Sequence, residues 1–264
     1  MNKLVVLIKF NRNDLYLEPP YPAGMRFRKT LAVKEWWDNR LKILKDVVMP
    51  SLRQQTFQDF DIVAPFTTDI SRKLCKKLID YLKKQGVSIW WDDRKLKDYV
   101  EPEEYLRKKY YGKVDNLILI NLDSDDVYHK KAFEELMKVP VRDGQIYIFR
   151  NGYVYDEPTD RLAIYKGEPS PPPFFAFTFT NDSLKDSKSW KEYRDKYNLW
   201  VEHPKLDKCK VKYEMIDDLY CYYFHKYNVT SSWDNPHHFM KIGKLIVGNQ
   251  KDGVLKDVGI RVKN

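Results

Sequence analysis

Seven segments in the first half of the chain alternate between two hydrophobic periods, and this alternation limits the fold more than any other feature. "KLVVLIKF", "DFDIVAPF", "VSIWW" and "DNLILINL" are short runs of branched and aromatic residues, of strand length. Between them, "WDNRLKILKDVVM", "DISRKLCKKLIDYLKK" and "PEEYLRKKYYG" carry apolar residues at helical spacing. Leu41, Leu44 and Val48 form one stripe; Leu74, Leu78, Ile79 and Leu82 form another. Strands alternating with helices predict an α/β fold with a mostly parallel sheet flanked by helices. Pro50 is expected to end or kink the first helix, and Pro102 to occupy the first turn of the third.

The second half differs in character. "QIYIFRNGYVYD", "RLAIYKG" and "FFAFTFTND" alternate like hairpin strands, with Gly, Pro and Asp at the turns. "GEPSPPP" reads as a stiff spacer, and the stretch from Asn181 to Tyr213 is Lys-rich with Trp190 and Trp200. These shifts suggest two parts, residues 1–140 and 141–264, within one domain overall.

At 264 residues the chain is long enough for a substantial core. Lys and Arg total 47 against 38 Asp and Glu, a formal charge of +9 that suits polyanions, an anionic membrane surface or phosphorylated small molecules. Aromatics make up 15%, more than a core this size needs, so some rings are expected to line a cleft. Cys75, Cys209 and Cys221 are widely spaced, which argues against a disulfide framework or a zinc cage and for a reducing, cytoplasmic setting. The apolar run in "MNKLVVLIKFN" is too brief to span a membrane and reads as a strand, so the sequon at Asn228 carries little weight.

The chemistry concentrates in "NLILINLDSDDVYH", residues 116 to 129. Asp123, Asp125 and Asp126 crowd into four positions directly after an apolar strand, a costly arrangement unless something cationic sits there. In a parallel sheet, ligands bind beyond the carboxyl ends of the strands, where this turn falls. Asp-Ser-Asp sets two carboxylates on one side of an extended turn, suited to Mg²⁺ or Mn²⁺ held against a diphosphate. "YHKKAFEELM" then reads as a helix, which puts the acids at a strand-to-helix turn; the alternative is that Asp125 or Asp126 is only its N-cap. Asp92 and Asp93, beyond "VSIWW", are candidates to bond a base or ribose, or are turn residues. Trp90, Trp91, Tyr153 and Tyr155 either stack on a ligand or pack in the core.

"NLDSDDVYH" resembles a motif of a family of rhamnosyltransferases, which are glycosyltransferases of the GT-A type. Further stretches resemble that family in order: "IKFN" at Ile8 to Asn11, "WWDNRLKILKDVVMPSLRQQTFQDFDIV" from Trp36 to Val63, "SPPPFFAF", and "FHKYNVTS" from Phe224 to Ser231. The resemblance implies a GT-A, Rossmann-like fold: residues 1–140 would bind the nucleotide sugar, and 141–264 would form a smaller mixed acceptor-side part. It also implies that Asp123 meets the ribose or the metal, that Asp125 ligates Mn²⁺ or Mg²⁺, and that His225 completes the shell. A neutral imidazole is a competent ligand beside carboxylates. Two family arginines are replaced, by Lys9 and by Asn121. Neutralising a donor diphosphate would then fall on the metal, on Lys9 beside Asn11, and on Arg40.

The implied reaction moves a sugar from a nucleotide-diphosphate donor to a glycan or other hydroxyl acceptor, lipid-linked or protein-borne. Inversion would need a carboxylate base; Asp217 and Asp218 in "EMIDDLYCYYFH", read as one or two helical turns before His225, are the candidates, with Asp182 in reserve. The basic, Trp-containing stretch from Lys185 to Lys212 would touch a phosphorylated or membrane-linked acceptor. Two rival readings remain: a metal-dependent nuclease, which would want a second metal and basic residues concentrated at the cleft, and a noncatalytic sugar- or protein-binding module.

Overall fold

The structure is a computed structural model, and it describes residues 1–10, 34–67, 72–92, 102–149, 151–166, 174–185, 213–216, 219–225, 233 and 241–262. Four strands, β1 (Asn2–Lys9), β2 (Phe60–Thr67), β3 (Ser88–Asp92) and β4 (Asn116–Asp123), alternate with helices as the two periods predict. Register pairs β1 with β2, β1 with β4 and β2 with β3, all parallel.

β4 lies between β1 and an antiparallel neighbour, β9 (Phe175–Thr180). With β6 (Ile146–Phe149) and β10 (Tyr213–Ile216) these strands form a seven-stranded sheet in the order β10-β6-β9-β4-β1-β2-β3. Strands from both halves of the chain therefore share one sheet. Both faces of β4 are buried: Ile118, Ile120 and Leu122 join one core, Leu117 and Leu119 the other. A strand covered on both faces has to be a continuous apolar run.

The second sheet has five strands in the order β12-β8-β7-β11-β5. These are β5 (Val127–Tyr128), β7 (Asn151–Asp156), β8 (Arg161–Lys166), β11 (Tyr220–Phe224) and β12 (Lys241–Ile246). β7 and β8 form the expected hairpin. "QIYIF" and "NGYVYD" do not pair with each other, because β6 belongs to the larger sheet and β7 to the smaller. Tyr128, Phe174, Tyr165, Tyr220 and Tyr222 pack edge and face in the main core, with Phe174 stacked on Tyr220 at 4.0 Å.

The first helical stretch runs unbroken as α1 (Lys34–Ile43), a π turn (Leu44–Val48) and α2 (Met49–Arg53). Pro50 thus neither ends the helix nor leaves its own carbonyl clash unrelieved: the Met49 N–H reaches back to the Leu44 carbonyl, and the widened turn makes room for the ring. Among the described residues the other helices are α3 (Arg72–Lys84), α4 (Pro102–Tyr110), α5 (Ala132–Leu136), α6 (Asn181–Lys185) and α7 (Gly248–Asp257). Among the described residues, no helix is long and apolar enough to cross a membrane.

Candidate functional site

The acidic turn is the point where the chain leaves the larger sheet for the smaller. β4 ends at Asp123, the Asp126 N–H closes a turn onto the Asp123 carbonyl at 3.2 Å, and β5 begins at Val127. The residues after the turn therefore form a strand, and α5 starts only at Ala132 with Lys131 as its N-cap, so neither Asp125 nor Asp126 caps a helix.

β11 pairs antiparallel with β5, Cys221 opposite Val127, and so runs back towards the turn. The Tyr223 N–H donates to Asp126 Oδ1 at 3.2 Å, and one strand residue further on His225 Nε2 stands 3.2 Å from Asp125 Oδ2. Residues 100 apart in sequence meet because each lies at the end of a strand of the same small ladder. The same Oδ2 receives Arg40 Nη1 at 2.8 Å, brought from α1. Arg40 is only 5% exposed and its guanidinium lies over the Trp36 ring, 4.7 Å from the centroid.

This arrangement accounts for the crowded charges. Burial disfavours an ionised Asp125, but the Arg40 charge and the His225 contact outweigh it and hold the carboxyl well below its ordinary range. Asp126 goes the other way: burial first, then the neighbouring Asp125 and Asp123 carboxylates, push it well above the usual range, and only the Tyr223 N–H and Arg40 favour its charge. Asp125 and Asp126 are thus pushed in opposite directions.

Other assigned residues fall in varied places. Lys9 pairs with Asp123, and Asp92 ends β3 opposite Thr67, so both backbones reach the same carboxyl edge of the sheet. Asn11, Asp93, Asp217 and Asp218 lie outside the described residues, as do the sequon, "GEPSPPP" and, Lys185 excepted, the basic stretch. Trp90 and Tyr155 are buried in the cores, Tyr155 donating to Asp160 Oδ1 at 2.8 Å, and Trp91 and Tyr153 pack against the main core. Asp182 is exposed in α6, just after Thr180, which pairs with Asn116 at the opposite edge of the sheet. The length of β4 separates it from the turn, roughly 23 Å at about 3.3 Å per residue.

The segment before His225 is a strand and not a helix. The helical spacing on which Asp217 and Asp218 were chosen therefore does not hold across Tyr220–Phe224. Glu157 instead reaches this end: its N–H donates to the Phe224 carbonyl at 2.9 Å.

Sequence reading also missed the support behind the turn. Ser51 Oγ donates to the Tyr128 carbonyl at 2.8 Å, Gln55 Nε2 to the His129 carbonyl at 3.0 Å, and Gln55 Oε1 accepts the Phe133 N–H at 3.2 Å. Thr56 pairs through its backbone with Lys130 and through its hydroxyl with Glu134. The "PSL" and "QT" positions are thus side chains that satisfy backbone groups just beyond the acidic turn.

A carboxylate and an imidazole converging at one point form a donor pair that Mn²⁺ or Mg²⁺ can use, with water and phosphate oxygens filling the other positions. The residues therefore fit such an ion. Among the described residues no set of three or more His, Cys, Asp or Glu is gathered closely enough to hold one unaided. Asp123 closes the strand ladder beside Lys9, two positions before the turn residue that reaches His225.

Comparison with solved structures finds the glycosyltransferase GlyE of Streptococcus pneumoniae TIGR4, 11% identical, TM-score 0.37, covering 82% of this chain and 46% of that one. Residues 1–349 of TarS from S. aureus are 11% identical, TM-score 0.41, covering 84% of this chain and 60% of that one. The inositol-1-phosphate CTP transferase of T. maritima is 14% identical, TM-score 0.35, covering 99% and 98%. This chain spans less than two thirds of the length of GlyE and of TarS. No curated protein sequence matches. One family model does, over residues 23–157, which include α1, the π turn, α2 and the acidic turn. The chain belongs to the glycosyltransferase family that this model describes as "Putative rhamnosyl transferase".

Proposed function

We propose that this protein transfers a sugar from a nucleotide-diphosphate donor to a hydroxyl acceptor, at the carboxyl edge of the seven-stranded sheet, with Mn²⁺ or Mg²⁺ held by Asp125 and His225. The observation that carries this reading is the 3.2 Å approach of His225 Nε2 to Asp125 Oδ2. When bound, the ion would supply Lewis-acid neutralisation of the departing diphosphate. Asp125 and His225 would hold it from two neighbouring strand ends of the smaller sheet. Arg40 lends a permanent positive charge on the same side, and β1 ends at that edge with Lys9; Asn11 is assigned to the donor with them. Asp123 and Asp92 are assigned to the ribose or base, since their strands end there.

For an inverting transfer a carboxylate must take the acceptor proton. Asp217, Asp218 and Asp182 are candidates for that step, and Glu157, whose backbone is bonded to Phe224 next to His225, is a further one. With Glu157 as the base, Glu157→Gln is expected to lower transfer at least about tenfold while leaving donor binding unchanged; an unaltered transfer rate removes it from the candidates. The reading as a whole is tested by incubating the protein with UDP-, GDP- and dTDP-sugars, with and without Mn²⁺. Slow, Mn²⁺-dependent hydrolysis of one donor is expected. Calorimetry that found oligonucleotide binding and no nucleotide-diphosphate binding would instead support a nuclease.

A further inference from the structure

β12 is the edge strand of the smaller sheet, paired with β8 on one side. Among the described residues three large apolar side chains are exposed, and two of them, Leu245 at 50% and Val247 at 73%, lie two positions apart where this strand ends. Ile246 between them turns into the main core, so strand alternation points its two neighbours the other way. The eleven residues from Lys241 to Lys251 hold three lysines and no acid. Lys251 is taken up by Asp160, but Lys244 is exposed beside the two aliphatic side chains, and Lys166 of β8 stands opposite Lys241 in register. Aliphatic groups held in water among lysines suit a partner that offers both hydrocarbon and negative charge.

We propose that this edge, through Leu245, Val247 and Lys244, docks on an anionic lipid surface. A second copy of the chain is the poorer occupant, because the ladder shifts register between Ile242 and Leu245 and the strand carries lysines, two devices that keep sheet edges from pairing. The docked edge also lies at the end of the sheet that holds His225. Ile246 pairs with Leu162; one residue on, Arg161 stands opposite Asp156 and Asp156 opposite Phe224, the residue before His225. Val247 and His225 therefore leave the same end of the smaller sheet, three strand spacings or about 14 Å apart. A lipid-borne hydroxyl has to project only about that far to meet the site. That the docking serves such an acceptor rests on the transferase reading given above; the docking itself does not.

The test is co-sedimentation of the full chain with vesicles of phosphatidylcholine alone and of phosphatidylcholine mixed with phosphatidylglycerol. Wild type, Leu245→Ser/Val247→Ser, Val247→Ser and Lys244→Glu are compared, each checked for folding by thermal melting and for donor hydrolysis in solution, which none of them should change. Wild type is expected to pellet with the phosphatidylglycerol vesicles, less so at raised salt, and weakly with phosphatidylcholine alone. The double variant is expected to lose affinity for the anionic vesicles at least about tenfold, and Lys244→Glu about threefold or more. Wild type that stays in the supernatant with both vesicles overturns the inference and leaves the transferase reading in place, as does vesicle binding that no variant weakens. A dimer seen by analytical ultracentrifugation and abolished in the double variant, without vesicle binding, gives the edge to a second copy and overturns it too. If the double variant does not fold, Val247→Ser, which changes the more exposed of the two side chains, decides by the same readout. Vesicle binding that the variants weaken, with no donor hydrolysed, upholds the docking and removes the transferase reading alone.

Discussion

Asp126 is buried beside two other acids, and its folded-state proton is a cost that grows with pH. Its pKa is raised on folding, so its penalty is absent below the unfolded carboxyl value and accumulates as pH rises from there towards the folded one, at about 1.4 kcal/mol per pH unit. Asp126→Asn, which keeps an oxygen for the Tyr223 N–H, should therefore match wild type near pH 3 and exceed it in stability at pH 7; urea melts at the two values check this, and identical differences at both would refute it. Asp125 has the opposite sign. Its pKa is depressed, so its contribution is present above the unfolded carboxyl range and fades as pH falls through the folded value. Asp125→Asn strips Arg40 of its carboxylate and is expected to cost about 3 kcal/mol or more, together with Mn²⁺-dependent nucleotide binding, measured by melting and by calorimetry. The crowding of acids was legible as a demand for positive charge. That the demand is met in part by Arg40, 85 positions earlier (125 − 40), was not, because sequence spacing carries no information on which helical face meets which turn.

At the level of elements, the first half follows its hydrophobic periods closely, since β1 and β4 are buried on both faces and α3 on one. "YCYYF" misleads as part of a helix because carboxylates and large rings precede it in an order that also fits helical spacing; β-forming aromatics packed on neighbouring strands decide the matter. The parallel pairing of β7 with β11 depends on one absent side chain. A Cβ on Gly152 would stand 2.6 Å from the Tyr220 carbonyl oxygen and 2.8 Å from its ring. That ring cannot swing aside, being stacked on Phe174 at 4.0 Å and set edge-on to Tyr165. Gly152→Ala is expected to destabilise by about 1–3 kcal/mol in a urea melt. Because β11 delivers His225, the variant should also weaken Mn²⁺ binding; full retention of both properties would mean the two strands are not in this register.

Over the whole molecule, the C-terminal helix closes against the back of the site. Gly259 at the end of α7 has a φ of +80°, and a Cβ there would lie 2.7 Å from the Ser51 backbone. Lys130 bonds Asp257 at 2.6 Å, and Gln54 donates to the Asp257 carbonyl at 3.0 Å. Gly259→Ala should cost about 1–3 kcal/mol in thermal or urea unfolding. It should also lower nucleotide-diphosphate affinity, since Ser51 braces Tyr128 directly behind the acidic turn; unchanged affinity with lost stability would confine the contact to a packing role. None of this long-range order was legible, because periodicity gives each strand its faces without naming its neighbours, and so it could not tell that β6 and β7, one residue apart, enter different sheets. The meeting of Asp125 with His225 has a temporal corollary. On the ribosome, the aspartate emerges 100 residues before the histidine that it meets. If the pair holds the ion proposed for it, that site is assembled only after translation has passed position 225 and the smaller sheet has closed.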